Sequence, residues 1–311
     1  MRPSLLCPAL LLLLALPGAA LAAEAAVVKS ADLGPYATAV AGFSSGFKGR
    51  VTEYDLKNDA EGAEGLFAEI KAKKPAVVLA IGPLAANAAK RALGEIPVVF
   101  VMVPNFEKYG LEGSTVTGIA LSRPAGVQLE TLKTLAPSTR RVGVVYNPKY
   151  SKSVVEGASL AARALGLELV SARVDSPDDV PGSIKALSGK VDALWMIADR
   201  SVANTEAVKA IVDFSLQHKI PLFALSESQV RDGALVSLSP NFSSIGQQAA
   251  RVANRLVSEK IAAGSVPVAA PDGLDIAINL SSAKRIGVEC NLALEIFKFA
   301  AKQGYPIRVF E

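Results

Sequence analysis

The residues of this chain that could do chemistry are polar side chains that directly follow short apolar runs. Asp199 and Glu227 are carboxylates that could accept hydrogen bonds from a ligand ammonium. Arg200 could grip a ligand carboxylate or could neutralise the adjacent Asp199. Tyr36 offers an aromatic ring on which a flat ligand could stack. Together these groups supply charge, hydrogen bonds and a stacking surface, which suits the binding of a small polar molecule.

Further candidates are found where a predicted strand passes into a helix. Gly82, followed by Pro83 and Leu84, opens a predicted helix, whose free N–H groups and positive dipole end favour an anion such as a carboxylate. The alternative at Gly82 is a plain strand-to-helix turn, and Glu227 could equally be a solvated carboxylate at a helix start. The remaining candidates are residues at predicted strand ends: Ser30, Asn105, Tyr146, Asn147 and Ser226.

The usual equipment of enzymes is sparse in this sequence. Its one histidine, His218, disfavours histidine metal sites and Ser-His triads. We find no Gly-x-Ser-x-Gly elbow and no phosphate-binding glycine loop of either common pattern. Trp195 lies in the middle of a buried run and is interpreted as a core residue rather than as a platform for an aromatic ligand. We therefore expect a binding protein, not an enzyme, with no cofactor and no metal.

Length and composition favour an exported globular protein. The chain has 311 residues, half of them apolar and 20% charged, which is enough for two domains with their own cores. The net charge of +4 is scattered without a basic run, so nucleic acid is not an expected partner. Residues 1–23 combine Arg2, an apolar stretch and the small-x-small site Ala20-Leu21-Ala22, which predicts a cleaved signal peptide and a periplasmic location. Cys7 precedes most of the apolar stretch, so a lipid anchor is not expected.

Strands and helices alternate along the mature chain, and the pattern repeats. The strand Val142 to Asn147 divides two similar series: Pro75 to Gly82 returns as Val191 to Asp199, and Ile96 to Asn105 returns as Ile220 to Ser228. This alternation predicts an α/β protein with two Rossmann-like lobes, each with a parallel sheet, joined by a hinge. Because ligands of such sheets lie at the carboxyl ends of the strands, the candidates above are those that follow predicted strands. The cleft between the lobes is expected to close on a small molecule.

With these segments in place, the sequence resembles the substrate-binding proteins of ABC transporters with the type I periplasmic-binding fold. It looks like the branch of that family that includes tryptophan- and tyrosine-binding members. The segments that carry the resemblance are Leu33 to Tyr36, Val77 to Gly82 with Ala85-Ala86, Ile96 to Val103, Val116 to Gly118, Arg141 to Pro148, Val191 to Asp199, Ile220 to Glu227 and Leu238 to Asn241 with Ile245-Gly246. They follow the family's order along nearly the whole mature chain.

The resemblance implies a particular division of the chain. Lobe 1 would comprise residues 24–121 and 241–264, and lobe 2 would comprise residues 122–240 and 265–311, with three crossing strands between them. It also implies that the ligand sits between the lobes, that closure presents it to a membrane permease, and that the protein is a monomer.

The sequence departs from the family's pattern at two positions of the expected pocket. Gly82-Pro83 stands where the family has a glycine-threonine pair, and Val103-Pro104-Asn105 stands where it has an acidic residue. These departures remove a hydroxyl and a charge, so they weaken the inference of an amino acid as ligand.

We expect an exported solute-binding protein of an ABC importer that captures a small polar or zwitterionic ligand, with an amino acid as the ligand that the resemblance implies. One alternative is a ligand sensor of the same fold that acts on a membrane receptor. The other is a Rossmann-like enzyme of the hydrolase or isomerase type, which the single histidine disfavours.

Overall fold

The computed structural model describes residues 23–121, 123–288 and 290–311. The predicted signal peptide, residues 1–23, lies outside the described ranges except for its last residue. Within these ranges we find no helix with the length and apolar character needed to cross a membrane.

The first sheet consists of five parallel strands in the order β2-β1-β3-β4-β5. The strands are β1 (Glu24–Lys29), β2 (Arg50–Asp55), β3 (Val77–Ile81), β4 (Val98–Val101) and β5 (Val116–Gly118), and the helices between them are α1 (Gly34–Gly46), α2 (Ala63–Lys73) and α3 (Pro83–Ala92). A 3₁₀ turn, Phe106–Tyr109, follows β4. Helices cover both faces of this sheet, which is why β3 is an uninterrupted apolar run with every residue buried.

The second sheet repeats this arrangement. Its elements in chain order are α4 (Ala125–Leu135), β6 (Arg141–Tyr146), α5 (Pro148–Ala164), β7 (Glu168–Arg173), α6 (Val180–Lys185), β8 (Ala193–Trp195), α7 (Thr205–His218), β9 (Leu222–Ala224), α8 (Glu227–Arg231) and β10 (Val236–Pro240). The parallel strands lie in the order β7-β6-β8-β9-β10, the same order as in the first sheet. The two α/β lobes predicted from the repeated strand pattern are therefore present.

The rest of the chain serves both lobes. Helix α9 (Phe242–Glu259) packs against α1 of the first lobe, and the helices approach so closely that a Cβ atom at Gly42 or Gly246 would collide with backbone of the other helix. The last elements are β11 (Leu274–Asn279), α10 (Leu280–Ile286), α11 (Cys290–Gln303) and β12 (Ile307–Phe310). Strand β11 pairs antiparallel with β10, and β12 pairs with β11 at the sheet edge. Strand β12 was not predicted from the sequence.

The chain passes between the lobes three times: from β5 to α4, from β10 to α9, and from residue 270 to β11. The crossing segments are hydrogen-bonded in pairs, since Ala120 N donates to Ala269 O at 2.8 Å and Asn241 N donates to Gly273 O at 3.0 Å. Val266 and Ala269, which precede the third crossing, pack against the first-lobe core.

Candidate functional site

A cavity of about 710 Å³, here called the interlobe cavity, lies between the lobes at the carboxyl ends of their strands. The first lobe lines it with the loop after β4 and with Ala120 and Leu121 after β5. The second lobe lines it with the start of α4, the first half of α5, and residues at the ends of β8 and β9. The cavity thus occupies the place where ligands of parallel α/β sheets bind.

Polar groups from both lobes reach the interlobe cavity. They are Asn105, Glu107 and Lys108 from the first lobe and Arg123, Gln128, Ser151 and Ser153 from the second. Lys108 Nζ donates a hydrogen bond to the Tyr150 carbonyl oxygen at 2.8 Å, which joins the lobes beside the cavity. The Glu107 side chain makes no hydrogen bond or ion pair with any described residue. The cavity wall therefore includes an exposed acidic residue without a partner in the described part of the chain, next to a lysine whose ammonium bridges the lobes.

Ser151 lies at a bend in α5. Its backbone angles, φ −131° and ψ 16°, are not helical, so the turn from Pro148 to Tyr150 is separated from the straight run of residues 152–164. The bend turns Ser151 inward: the residue is only 3% exposed and lines the interlobe cavity. We find no hydrogen bond of its Oγ within the described part of the chain, and this oxygen is not among the fully buried atoms without a partner.

A chain of hydrogen bonds connects the hinge with the floor of the cavity. Trp195 Nε1 donates to Gln128 Oε1 at 3.1 Å, and Gln128 Nε2 donates to the Arg123 carbonyl oxygen at 2.8 Å. Arg123 Nη2 donates in turn to Tyr305 Oη at 2.6 Å. Trp195 belongs to the second-lobe core, as expected, with 5% of its surface exposed, but it also lines the cavity. The lining role of Trp195 was not predicted, because a core residue at the end of a strand can pack in the core and also border a cavity.

A smaller pocket of about 100 Å³, the side pocket, adjoins the interlobe cavity within the second lobe. Arg123, Gln128, Trp195 and Leu225 line both spaces. Its other walls are almost entirely apolar, formed by Thr131, Phe223, Ala224, Leu238, Pro240 and Leu274. The side pocket can therefore accept an apolar group whose polar end remains in the interlobe cavity.

Three predicted site residues of the first lobe, Ser30, Tyr36 and Gly82, are brought together and are here called the first-lobe junction. Ser30 Oγ donates to Ile81 O at 2.9 Å and accepts from Ala85 N at 3.0 Å, so it caps α3. Gly82 has φ 88°, and a Cβ atom there would collide with Tyr36 Oη and Ser30 Oγ. Partial burial raises the pKa of Tyr36 above its ordinary value.

The first-lobe junction does not line the interlobe cavity, and neither do Pro83 and Leu84. Leu84 is half-buried and packs against the first-lobe core. The amide of Ala85 at the start of α3, which was expected to be open to an anion, is occupied by Ser30 Oγ. In this structure the start of α3 is thus closed by a residue of its own lobe.

Three residues of the second lobe, Asn147, Asp199 and Ser201, form the corresponding second-lobe junction. Asp199 is fully buried, and its carboxylate accepts from Asn147 N at 3.0 Å and from Ser201 N at 2.8 Å. Asn147 Nδ2 donates to Ser201 Oγ at 2.9 Å, while its Oδ1 caps α5 by accepting from Lys149 N. None of the three lines the cavity, and the predicted site residue Tyr146 is buried in the core.

The other predicted residues of the second lobe also lie outside the lining. Arg200 is exposed, with its guanidinium 6.0 Å from the ring centroid of Tyr150. Ser226 caps α8 by accepting from Gln229 N at 3.5 Å. Glu227 forms ion pairs with Arg231 at 3.3 Å and with Arg308 at 2.9 Å. Because Arg308 is in β12, which was not predicted, the pairing of Glu227 could not be anticipated.

Asn105 is the one predicted site residue that lines the interlobe cavity within the described ranges. It has φ 48° and begins the 3₁₀ turn that carries Glu107 and Lys108 into the cavity wall. Asn105 was the last residue of this loop predicted to bind the ligand, at the position where the family's acidic residue is missing. The two charged residues that follow in the same loop were the available signal.

Two features of enzymes can be placed in the structure. The sequence contains a Gly-x-Ser-x-Gly match at Gly42 to Gly46, but it lies inside α1 and not at a strand-to-helix turn, so it is not a nucleophile elbow. Among the residues that the structure describes, no group of His, Cys, Asp and Glu is arranged to hold a metal ion.

Comparisons with known proteins agree with this architecture. The family model described as "ABC transporter substrate binding protein" matches residues 40–302. A tyrosine-binding protein of Clostridioides difficile (strain R20291) is 25% identical over 256 residues, which covers 80% of this chain and 73% of that protein.

Two solved structures share the fold. The ligand-free, open structure of a substrate-binding protein with adhesive properties from Clostridium difficile superposes with a TM-score of 0.76 at 22% identity, covering 93% of this chain and all of that one. The complex of a Streptococcus pneumoniae ABC domain with L-Trp superposes with a TM-score of 0.59 at 20% identity, covering 88% of this chain and 98% of that one. The predicted fold class is confirmed, and so is the resemblance to the ABC transporter substrate-binding proteins. The matched family consists of solute-binding proteins rather than enzymes, and this chain belongs to it: it is a member of the ABC transporter substrate-binding protein family.

Proposed function

We propose that this protein is the exported solute-binding protein of an ABC importer and that it captures an amino acid between its lobes for delivery to a membrane permease. The observation that carries the proposal is the interlobe cavity itself. Both lobes line it with charged and polar residues, and Lys108 already spans it to reach Tyr150. The tyrosine-binding relative and the neighbour solved with L-Trp support an amino acid as the ligand.

Capture would proceed by closure of the lobes about the three crossing segments. A ligand that contacts both walls of the cavity stabilises the closed arrangement over the open one by its differential interaction with the two states. The side pocket gives an apolar side chain a place to be buried while the polar end of the ligand stays between the lobes. The permease would then recognise the closed surface.

The proposal includes a periplasmic location. Proteins of this family work outside the cytoplasm, and residues 1–23 have the composition of a cleaved signal peptide. The mature protein would begin near Ala23 or Glu24 and act as a monomer.

A thermal-shift screen of the mature chain, from Glu24 onward, tests the proposal. A ligand present at 100 times its dissociation constant adds about 2.7 kcal/mol to the free energy of unfolding, which raises the melting midpoint by several degrees in a chain of this size. We expect the shift with L-tyrosine or L-tryptophan and not with sugars or nucleosides. A shift with sugars alone would refute the amino-acid ligand, and the absence of any shift across amino acids, peptides, nucleosides and sugars would contradict the binding function.

A further inference from the structure

Away from the three crossing segments, one side-chain hydrogen bond joins the two lobes within the described ranges. Lys108 Nζ of the first lobe donates to the backbone carbonyl oxygen of Tyr150 in the second lobe at 2.8 Å. The other described side-chain hydrogen bonds and ion pairs lie inside a lobe or involve a crossing segment, as the pair of Arg251 and Asp272 does. The width of the interlobe cavity therefore depends on the contact between Lys108 and Tyr150 as well as on the crossings.

We propose that this contact is a latch: in the protein without ligand, the Lys108 ammonium holds the first-lobe loop against Tyr150 and favours a narrow cavity over a wide one. The inference goes beyond the proposed function, because it concerns an equilibrium between two lobe arrangements that exists before any ligand binds.

The first lobe holds Lys108 in a fixed position. Lys108 is in the 3₁₀ turn after β4, and the ring of Phe106 in the same turn packs on the ring of Phe100 in β4, with the centroids 5.3 Å apart. At the other end of the turn, Lys90 Nζ of α3 donates a hydrogen bond to the Gly110 carbonyl oxygen. Because the turn is attached to its own lobe at both ends, the position of Lys108 follows the position of that lobe.

The second lobe presents the acceptor at the bend in α5. A backbone carbonyl group inside a continuous helix points along the axis to the N–H group four residues later. Ser151 has φ −131°, and because the peptide unit is planar, this angle turns the carbonyl group of Tyr150 away from the direction of the helix that follows. Tyr150 N donates to Asn147 O at 3.0 Å, and Asn147 is part of the second-lobe junction, so the acceptor is also fixed to its own lobe.

The strength of the contact suits a latch that can open. Its donor is charged, which makes the hydrogen bond stronger than one between neutral groups, but Lys108 is exposed and water competes for its ammonium. Exposed contacts of this kind change an equilibrium severalfold and do not fix it completely. The latch should therefore favour the narrow arrangement of the lobes and still allow the cavity to open.

Trp195 reports the width of the cavity. It is the one tryptophan of the chain, it lines the cavity from the second lobe, and 5% of its surface is exposed. Its Nε1 donates to Gln128 of the same lobe, so movement of the first lobe does not break this bond. A wider cavity admits more solvent to the indole ring and therefore more of a dissolved quencher.

Acrylamide quenching of Trp195 fluorescence in the mature chain, without ligand, tests the proposal. Lys108→Met keeps most of the length of the side chain and removes the ammonium. We expect it to raise the quenching constant at least about twofold, because the loss of one exposed charged contact shifts a two-state equilibrium by that order. Acrylamide is uncharged, so the change of charge at Lys108 does not itself alter the local concentration of the quencher.

Two variants serve as matched controls. Lys71 Nζ donates to the Ala92 carbonyl oxygen at 3.2 Å inside the first lobe, so Lys71→Met removes a bond of the same kind that does not join the lobes and should leave the quenching constant unchanged. Lys108→Arg keeps a cationic donor at the latch and should be quenched as the unmodified chain is. Both lysines are exposed, so the variants should fold normally, which circular dichroism checks.

Small-angle X-ray scattering on the same variants distinguishes lobe opening from a local change at Trp195. Lys108→Met should have a larger radius of gyration than the unmodified chain, and Lys71→Met should not. Unchanged quenching in Lys108→Met, an equal rise in Lys71→Met, or a rise without a larger radius of gyration would overturn the latch. These measurements use no ligand, so their failure leaves the proposed function standing, and a negative thermal-shift screen leaves the latch standing.

Discussion

The two lobes stabilise equivalent strand-to-helix connections with different polar groups. Strands β1 and β3 occupy in the first sheet the places that β6 and β8 occupy in the second, so the first-lobe and second-lobe junctions are equivalent positions. In the first-lobe junction the neutral hydroxyl of Ser30, which lies next to Gly82, makes the hydrogen bonds that connect β3 with α3. In the second-lobe junction the buried carboxylate of Asp199 accepts hydrogen bonds from the backbone N–H groups of Asn147 and Ser201. Equivalent strand ends in a duplicated fold thus need a cap, but not the same cap.

The comparison also shows where the ligand groups come from. Neither junction lines the interlobe cavity, although both stand at the strand ends where such sheets usually bind ligands. The polar lining lies one loop or one helical turn further along the chain, at Glu107, Lys108 and Ser151. The junctions hold these segments in place, which is why their loss should affect stability before it affects specificity.

The largest effect is expected for Asp199→Ala in the second-lobe junction. The substitution leaves the N–H groups of Asn147 and Ser201 buried without an acceptor. We expect the free energy of unfolding to fall by about 3 kcal/mol, measured by urea denaturation. Asp213→Ala is the control, because Asp213 is half-exposed and pairs only with Lys209 on the surface of α7, so its loss should be below about 0.5 kcal/mol. Equal losses in the two variants would show that the carboxylate of Asp199 is not structural.

A smaller loss is expected for Gly82→Ala in the first-lobe junction. The new methyl group would meet Tyr36 Oη and Ser30 Oγ, and alanine disfavours the φ of 88°. We expect a loss of about 2 kcal/mol in the same urea experiment. Gly65→Ala, in the first turn of α2 with no atom within 4 Å of the new Cβ, should instead stabilise the protein by about 0.5 kcal/mol. A neutral Gly82→Ala variant would mean that the junction can rearrange.

Ser30→Ala is expected to lower the free energy of unfolding by less than Gly82→Ala does. It removes the acceptor of Ala85 N and the donor to Ile81 O, but the backbone bond from Ser30 N to Ile81 O remains. The loss of a helix cap of this kind is about 1 kcal/mol, which differential scanning calorimetry should detect as a lower midpoint. If Ser30→Ala lowered the free energy of unfolding as much as Asp199→Ala does, the hydroxyl of the first-lobe junction would be as important for stability as the carboxylate of the second, contrary to our expectation.

The smallest effect concerns pH. Burial raises the pKa of Tyr36, so the folded state holds this proton more tightly than the unfolded state does. Its contribution to stability is complete below pH about 10 and is lost as the pH rises through the folded-state pKa. The midpoint of the unmodified protein should therefore fall more steeply above pH 10 than that of Tyr36→Phe. Parallel curves for the two proteins would contradict the assignment.

The repeated strand pattern was sufficient to predict the fold. The return of Pro75 to Gly82 as Val191 to Asp199 places β3 and β8 at equivalent positions of two sheets, and that is what the structure has. Strand β12 could not be predicted in this way, because it is a four-residue edge strand with no counterpart in the first lobe. Its pairing with β11 depends on the return of the chain through α11, which is a tertiary effect.

The site was harder to predict for a physical reason. Strand ends can be found from apolar periodicity, but the bend at Ser151 lies in a segment whose sequence indicates a continuous helix. The caps at Ser30, Asn147 and Ser226 use up the side chains that seemed free in the sequence. Asn147 and Ser226 cap the helices that directly follow them, which a local sequence pattern can indicate. Ser30 instead bonds to Ala85, 55 residues later in the chain, and no local pattern encodes that contact.

The position of α9 sets the order in which the protein can fold. This helix lies after the whole parallel part of the second sheet, yet it completes the first lobe by packing on α1 at Gly42 and Gly246. During synthesis the first lobe must wait for residues 242–259 before its apolar surface can be sealed, and such distant pairings form slowly. Under the export that we propose, that delay would keep the early segments unfolded while the chain crosses the membrane.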